Sequence, residues 1–259
     1  MTKFIKSIFI CLCLILLFGA SGCISNNTVQ KIKERGEILV GTTGDYRPMT
    51  YFDQTTKTYT GFDVELAEDL AKELNVKIKY IPTTWPTLME DTIAKKFDLA
   101  ICGITITPER KKQALMSDGY LKNGKTVLCR KEDADKYINL ESINKPKVRV
   151  MENPGGMNEK FARKHLPNAT LIIHKVNEEI PELVAEGKAD VMITENTEAS
   201  FYVSKDKRLA APLAQKPFTQ SQIGILLPKE NQALLEYVNK FLSKERQNGR
   251  LKQLEEKYL

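Results

Sequence analysis

"FDVELAEDLAKEL" (Phe62–Leu74) decides the fold. Val64, Leu66, Ala67, Leu70, Ala71 and Leu74 recur at helical spacing, so one face is apolar and the opposite face carries the charges. The runs on either side have a different period. "EILVGTT" (Glu37–Thr43) and the alternating "VKIKYIP" (Val76–Pro82) read as strands. "WPTLMEDTIAKK" (Trp85–Lys96) follows as a helix with Pro86 tolerated in its first turn, and "FDLAICG" (Phe97–Gly103) as a third strand. Strand–helix–strand–helix–strand predicts a parallel sheet with helices on both faces.

A second set follows: "TVLCR" (Thr126–Arg130), "KVRVM" (Lys147–Met151), a helix from Asn158, "TLIIHK" (Thr170–Lys175), the helix "EEIPELVAEG" (Glu178–Gly187), "ADVMIT" (Ala189–Thr194) and a helix from about Glu195. "QIGILLPK" (Gln222–Lys229) is then a strand, and a long helical segment from about Gln232 closes the chain. Two α/β lobes are predicted. Ligands of open α/β sheets bind beyond the carboxyl ends of the strands, here "GTTGDY", "CGITIT", "MENPGG" and "ITENTE". In "MENPGGMNEKF" (Met151–Phe161) a glycine pair runs into a helix start, where clustered N–H groups and the helix dipole favour an anion.

The N-terminus lies outside this pattern. Lys3 and Lys6 precede the apolar run "IFICLCLILLF" (Ile8–Phe18), too short for an ordinary membrane span. "GASGC" (Gly19–Cys23) resembles a bacterial lipobox, with Ala20 where leucine is usual. It implies a signal peptide over residues 1–22, lipidation of Cys23 and a place outside the cytoplasm; a plain signal peptide or an uncleaved anchor stays open. Residues 23–31 read as a polar tether. Losing residues 1–22 removes two lysines and no acid, so the net charge of +6 becomes +4. That excess is too small and too scattered for a nucleic-acid surface. No later apolar run is long enough to span a membrane. His165 and His174 are the only histidines, which argues against a zinc site or a Ser-His-Asp triad. Cys102 and Cys129 remain beyond the leader, either bonded to each other or buried singly.

"GTTGDYRPMTY" (Gly41–Tyr51), "GFDVELAEDLAKEL" (Gly61–Leu74) and "TPER" (Thr107–Arg110) resemble the periplasmic solute-binding superfamily of amino-acid type, over essentially all of residues 32–259. The resemblance implies a two-lobed clamshell, each lobe a mainly parallel sheet flanked by helices. Lobe 1 would hold residues 32–121 and 221–259, and lobe 2 residues 122–220. The hinge crossings would lie near 122–127 and 216–220.

"TTGDYRP", "PTTWPTLMED", "NGKT", "NPGGMNEKFAR" and the glutamate three residues after the strand-end acid of "ITENTEA" are similar to the cyclohexadienyl dehydratases, exported enzymes on the same fold. They convert prephenate to phenylpyruvate and arogenate to phenylalanine, without metal or cofactor. The similarity implies that Arg110, helped by Thr105, holds a substrate carboxylate and that Lys125 supplies a second positive charge. Asn153, Gly155, Gly156 and Asn158 would shape the lobe 2 cradle, and Tyr46 and Trp85 would wall the ring site. Glu198 matches the general acid. A first-turn glutamate is also ordinary on any helix, and that acid works only if burial keeps it protonated.

Two positions depart from the pattern. Glu195 stands where the superfamily usually has an aspartate that grips an α-amino group, and "SQIGILL" (Ser221–Leu227) replaces the dehydratases' Glu-Lys-Ala-Tyr run. The alternative is the solute-binding lipoprotein of an amino-acid ABC transporter, with a permease as partner. On either reading the ligand is a small anion or amino acid.

Overall fold

A computed structural model describes residues 28–259. The leader, Cys23 and most of the expected tether lie outside the described residues. The tether's last residues are helical: α1 (Thr28–Arg35) packs Val29 and buried Ile32 on the first core, and the Thr28 hydroxyl bonds Asn231. Those two apolar residues, three apart, were enough to dock one face.

The chain continues with β1 (Glu37–Thr42), a three-stranded meander of β2 (Asp45–Tyr46), β3 (Thr50–Asp53) and β4 (Thr58–Thr60), and α2 (Phe62–Leu74). Gly61 precedes α2 at φ 134°, and a Cβ there would meet the Met49 carbonyl oxygen at 2.3 Å, so only glycine fits. Asp63 and Glu65 favour the positive end of the helix, and left-handed Asn75 stops it. Then come β5 (Lys77–Pro82), α3 (Leu88–Ile93), β6 (Leu99–Ala100), α4 (Pro108–Gln113), β7 (Leu115–Met116) and β8 (Leu121–Asn123).

The second group holds β9 (Lys125–Arg130), α5 (Leu140–Ile143), β10 (Arg149–Glu152), α6 (Met157–His165), β11 (Thr170–Ile173), α7 (Ile180–Ala185), β12 (Val191–Glu195), α8 (Asn196–Lys205) and β13 (Leu209–Ala210). The chain returns through β14 (Ser221–Ile223) and β15 (Leu226–Leu227) and ends in α9 (Gln232–Gln247) and α10 (Arg250–Tyr258), separated by left-handed Gly249.

Two five-stranded sheets result, β5-β1-β6-β15-β7 and β11-β10-β12-β9-β13. Each is mixed rather than mainly parallel. β5, β1 and β6 pair in parallel, as do β11, β10 and β12, while the strands on the other side pair antiparallel. The antiparallel strands are those next to the passages between the two groups. The run expected as one strand over Gln222–Lys229 divides for this reason. β14 pairs with β8, whereas β15 enters the first sheet between β6 and β7.

Two other expectations change. The helix expected from Trp85 begins only at Leu88, because Thr84 and Thr87 bond each other in a turn that leaves Trp85 and Pro86 outside the helix. The strand expected over Phe97–Gly103 is a ladder at Leu99–Ala100 alone. Cys102 and Cys129 are unbonded, each buried in a different core cluster, and burial pushes both thiols up to about 12.

Candidate functional site

The carboxyl ends of the parallel strands of both sheets meet across a cleft with about 330 Å³ of empty space. The first group contributes Tyr46, Trp85, Gly103, Thr105 and Arg110 to its walls. The second contributes Asn153, Gly156, Met157, Asn158, Asn177 and Glu195. Ten of the eleven residues singled out in the sequence therefore sit in or beside one cleft wall, counting Lys125 and Gly155, which line the adjoining wider mouth.

Arg110 is set by its helix start. The Thr107 hydroxyl caps α4 by accepting from the Arg110 N–H at 3.2 Å, and Pro108 suits the first turn. The side chain turns back so that Nη1 donates to the Thr105 carbonyl at 2.7 Å. Only 8% of the residue is exposed, and it forms no salt bridge among the described residues. Burial pulls its pKa below the ordinary guanidinium value, with Glu195 among the groups opposing that shift. A buried planar cation with donors to spare suits a carboxylate.

Glu195 and Lys125 face each other across the β12–β9 ladder. The Lys125 ammonium bonds the Glu195 carboxylate and the Asn158 side chain. Tyr46 reaches over from the first group to donate to Glu195 Oε2 at 2.9 Å, and burial together with Glu195 and Glu198 raises the tyrosine's pKa well above its usual value. Trp85 donates Nε1–H to Asp45 Oδ1 at 3.0 Å and meets Tyr46 edge-on, with ring centroids 5.7 Å apart. The turn that replaced the expected helix start holds the indole there.

Glu198 lies in the first turn of α8 and is fully buried. The Thr194 hydroxyl bonds one carboxyl oxygen, and Asn177 Nδ2 donates to the other at 3.0 Å. Burial raises its pKa well above the usual carboxyl range. Glu195 and Asp45 add to that, and the bonds from Thr194 and Asn177 oppose it. The condition set by the sequence reading, a buried acid, is met. The carboxyl is not on the cleft wall itself but behind Asn177, which is.

Gly155, at φ 80°, has a role apart from an anion cradle. A Cβ there would meet Pro86 Cα at 2.7 Å, so the glycine lets the two halves approach. Arg47 Nε reaches Glu178 Oε1 at 3.3 Å on the same side of the cleft as the Asn177–Asp45 contact. Burial raises the Glu178 carboxyl to about 7 against the pull of Arg47.

Sequence reasoning passed over Asn177 and Glu152. Asn177 opens a short 3-10 turn just before the expected helix at Glu178, where an Asn before two acids was a usable start signal. Glu152 ends β10 fully buried; Oε1 accepts from Ile193 N–H at 2.7 Å, and burial raises its pKa well above the usual range. A glutamate closing an apolar strand was its signal. Among the described residues no cluster of His, Cys, Asp and Glu suits a metal ion.

The family of bacterial extracellular solute-binding proteins, family 3, matches residues 38–259. The cyclohexadienyl dehydratase of Pseudomonas aeruginosa is 39% identical over 95% of this chain and 91% of its own. A crystal structure of an ancestral amino-acid-binding protein, described as a precursor of cyclohexadienyl dehydratase, superposes with a TM-score of 0.83 at 37% identity, over 89% of this chain and 99% of that one. An ancestral cyclohexadienyl dehydratase is 52% identical over 90% of this chain and 96% of its own, with a TM-score of 0.57.

Proposed function

Because the chain belongs to the bacterial extracellular solute-binding proteins of family 3, we propose that it is the catalytic variant of that clamshell, a cyclohexadienyl dehydratase that converts prephenate to phenylpyruvate. Lobe 1 is residues 32–121 and 221–259, lobe 2 is 122–220, and the crossings near 122–127 and 216–220 form the hinge. The paired β8 and β14, with Phe218 N–H donating to the Lys125 carbonyl at 2.7 Å, support that division.

The observation that carries the reading is Glu198, a fully buried carboxyl one residue behind the cleft wall, whose pKa burial raises well above the usual range. Prephenate must lose a ring hydroxyl and a ring carboxylate. In the proposed step Glu198 gives its proton to the departing hydroxyl oxygen as the C–O bond breaks, so that water leaves. The ring C–C bond to the carboxylate breaks at the same time, carbon dioxide leaves, and that bond's electron pair completes the aromatic ring. Glu198 is left ionised and regains a proton from solvent when the cleft opens. Arg110 and Thr105 take the side-chain carboxylate. Lys125 and Asn158, on the other half, offer the second positive site. Asn153, Gly156 and Glu195 shape the floor, and Tyr46 and Trp85 wall the ring.

Glu198→Gln tests the assignment: the amide keeps the shape and loses the transferable proton. Phenylpyruvate formation should drop about 10²–10⁴-fold in kcat with KM kept or lowered. A variant that turns over at the wild-type rate removes Glu198 from the chemistry.

A second reading, the binding lipoprotein of an amino-acid transporter with a permease partner, draws on Glu195 in the cleft wall and on the amino-acid-binding relative. The Lys125 ammonium already occupies that carboxylate, where an α-ammonium would have to bind. The pair therefore favours a dianion over an amino acid, and prephenate over arogenate. The family is extracellular, and lipid attachment at Cys23 is part of this proposal. A Cys23→Ser form should leave the membrane fraction, since acyl chains supply the affinity; equal retention would rule the anchor out.

A further inference from the structure

Asn177 bonds both the Glu198 carboxyl and the opposite half of the cleft. It is 2% exposed and lines the cleft. Its Nδ2 donates to two acceptors, the Asp45 carbonyl at 3.1 Å and Glu198 Oε1 at 3.0 Å. Asp45 opens β2 beside the first sheet, whereas Asn177 and Glu198 belong to the second group. A carbonyl only accepts, so the amide nitrogen must be the atom that faces Asp45. That leaves Oδ1 as the amide's second polar atom, and it is buried with no hydrogen-bond partner among the described residues. A buried carbonyl oxygen left unpaired costs about 1–3 kcal/mol, which a ligand donor would relieve.

Resting on the dehydratase reading, we infer that Asn177 is a positioning residue for the dehydration: its nitrogen ties the Glu198 carboxyl to the lobe 1 backbone only when the lobes are closed, and its free oxygen accepts the hydrogen of the substrate's ring hydroxyl. The acid and the leaving group are thereby oriented by one side chain. Opening the cleft moves Asp45 away and releases the tie. The acid is then aimed only around bound substrate, and solvent restores its proton between turnovers. The charged and titratable groups around Glu198 are Asp45 and Tyr46 from β2, Glu152 from β10, Glu195 from β12 and Tyr202 from α8. The cations near this group, Lys125 and Arg47, are paired with Glu195 and Glu178, and Asn177 and Thr194 are the neutral donors that bond the carboxyl.

The test is the pH profile of kcat and KM for prephenate in the wild type, Asn177→Leu and the near-isosteric Asn177→Asp. The leucine variant should lose about 10²-fold in kcat, the cost of a misplaced catalytic group, with KM moving much less. In both variants the alkaline limb of kcat should shift to higher pH. Leucine removes a donor that favours the carboxylate form of Glu198, and aspartate brings a like charge. A role in packing alone would lower the yield of folded protein and leave that limb where it was. Should the leucine variant not fold, the aspartate variant carries the same reading. A folded variant with wild-type kcat, or with reduced kcat and an unmoved limb, overturns the inference. A wild type that does not turn over prephenate overturns the dehydratase reading and this inference with it, whereas wild-type turnover with unaffected variants overturns the inference alone.

Discussion

Arg110 and Glu198 are two buried groups that the fold treats in opposite ways. Arg110 keeps its charge at 8% exposure, with the Thr105 carbonyl as its bonded acceptor, and so stores a desolvation cost that a bound carboxylate offsets. Measured in a Glu198→Gln background, where prephenate is not consumed, Arg110→Ala should weaken binding by about 3–5 kcal/mol, the cost of leaving a buried anion without its partner. Calorimetric affinities within a few-fold of each other would place the carboxylate elsewhere. At Glu198 burial outweighs the bonds from Thr194 and Asn177, which raises the pKa and favours the uncharged form. The sign follows from the proton's role. The acid form is the active one and its pKa is raised, so kcat should be flat at low pH and fall as pH rises through that pKa. A kcat that rises toward alkaline pH would mean that Glu198 acts as a base or not at all.

The elements around the site differ in how far the sequence disclosed them. α2 was legible to the residue, since its apolar face, first-turn acids and left-handed Asn75 all signal locally. The turn at Thr84–Thr87 was not, because the hydroxyl bonds that hold Trp85 out of the helix compete with helix formation on almost equal terms. The division of Gln222–Lys229 between two sheets was hidden as well, because strand partners are a tertiary choice that leaves no period in the sequence. Most cleft residues could be read as strand-end motifs of a resembled family. Asn177 could not, since its significance is a contact with Asp45, 132 positions away. Gly155 belongs to the same scale. Its closeness to Pro86 predicts that Gly155→Ala keeps both lobes folded apart from about 1–3 kcal/mol of backbone strain, yet props the cleft open. Small-angle scattering with bound ligand should then show a larger radius of gyration than for wild type, and kcat/KM should fall. Wild-type compaction and kinetics would show that the Pro86 contact is not needed for closure.

At the scale of the molecule, the two sheets are separate cores joined by paired crossings, and the groups that meet between them are polar. Tyr46–Glu195, Asn177–Asp45 and Arg47–Glu178 link the halves through side chains that titrate or hydrogen-bond rather than through a shared apolar core. Such a contact opens and closes at low cost, and a substrate with two carboxylates adds charge partners on both sides at once. A carrier and an enzyme would both close in this way. They differ in what happens to the ligand while the cleft is shut, and on the proposed reading buried Glu198, its pKa raised by desolvation, is the group that would make the difference. The most direct measurement is incubation of the purified chain, freed of its first 22 residues, with prephenate while phenylpyruvate is followed over many turnovers. Phenylpyruvate should accumulate well beyond one equivalent per protein. Recovery of unchanged prephenate, together with tight retention of an amino acid, would contradict the account and leave a binding protein in its place.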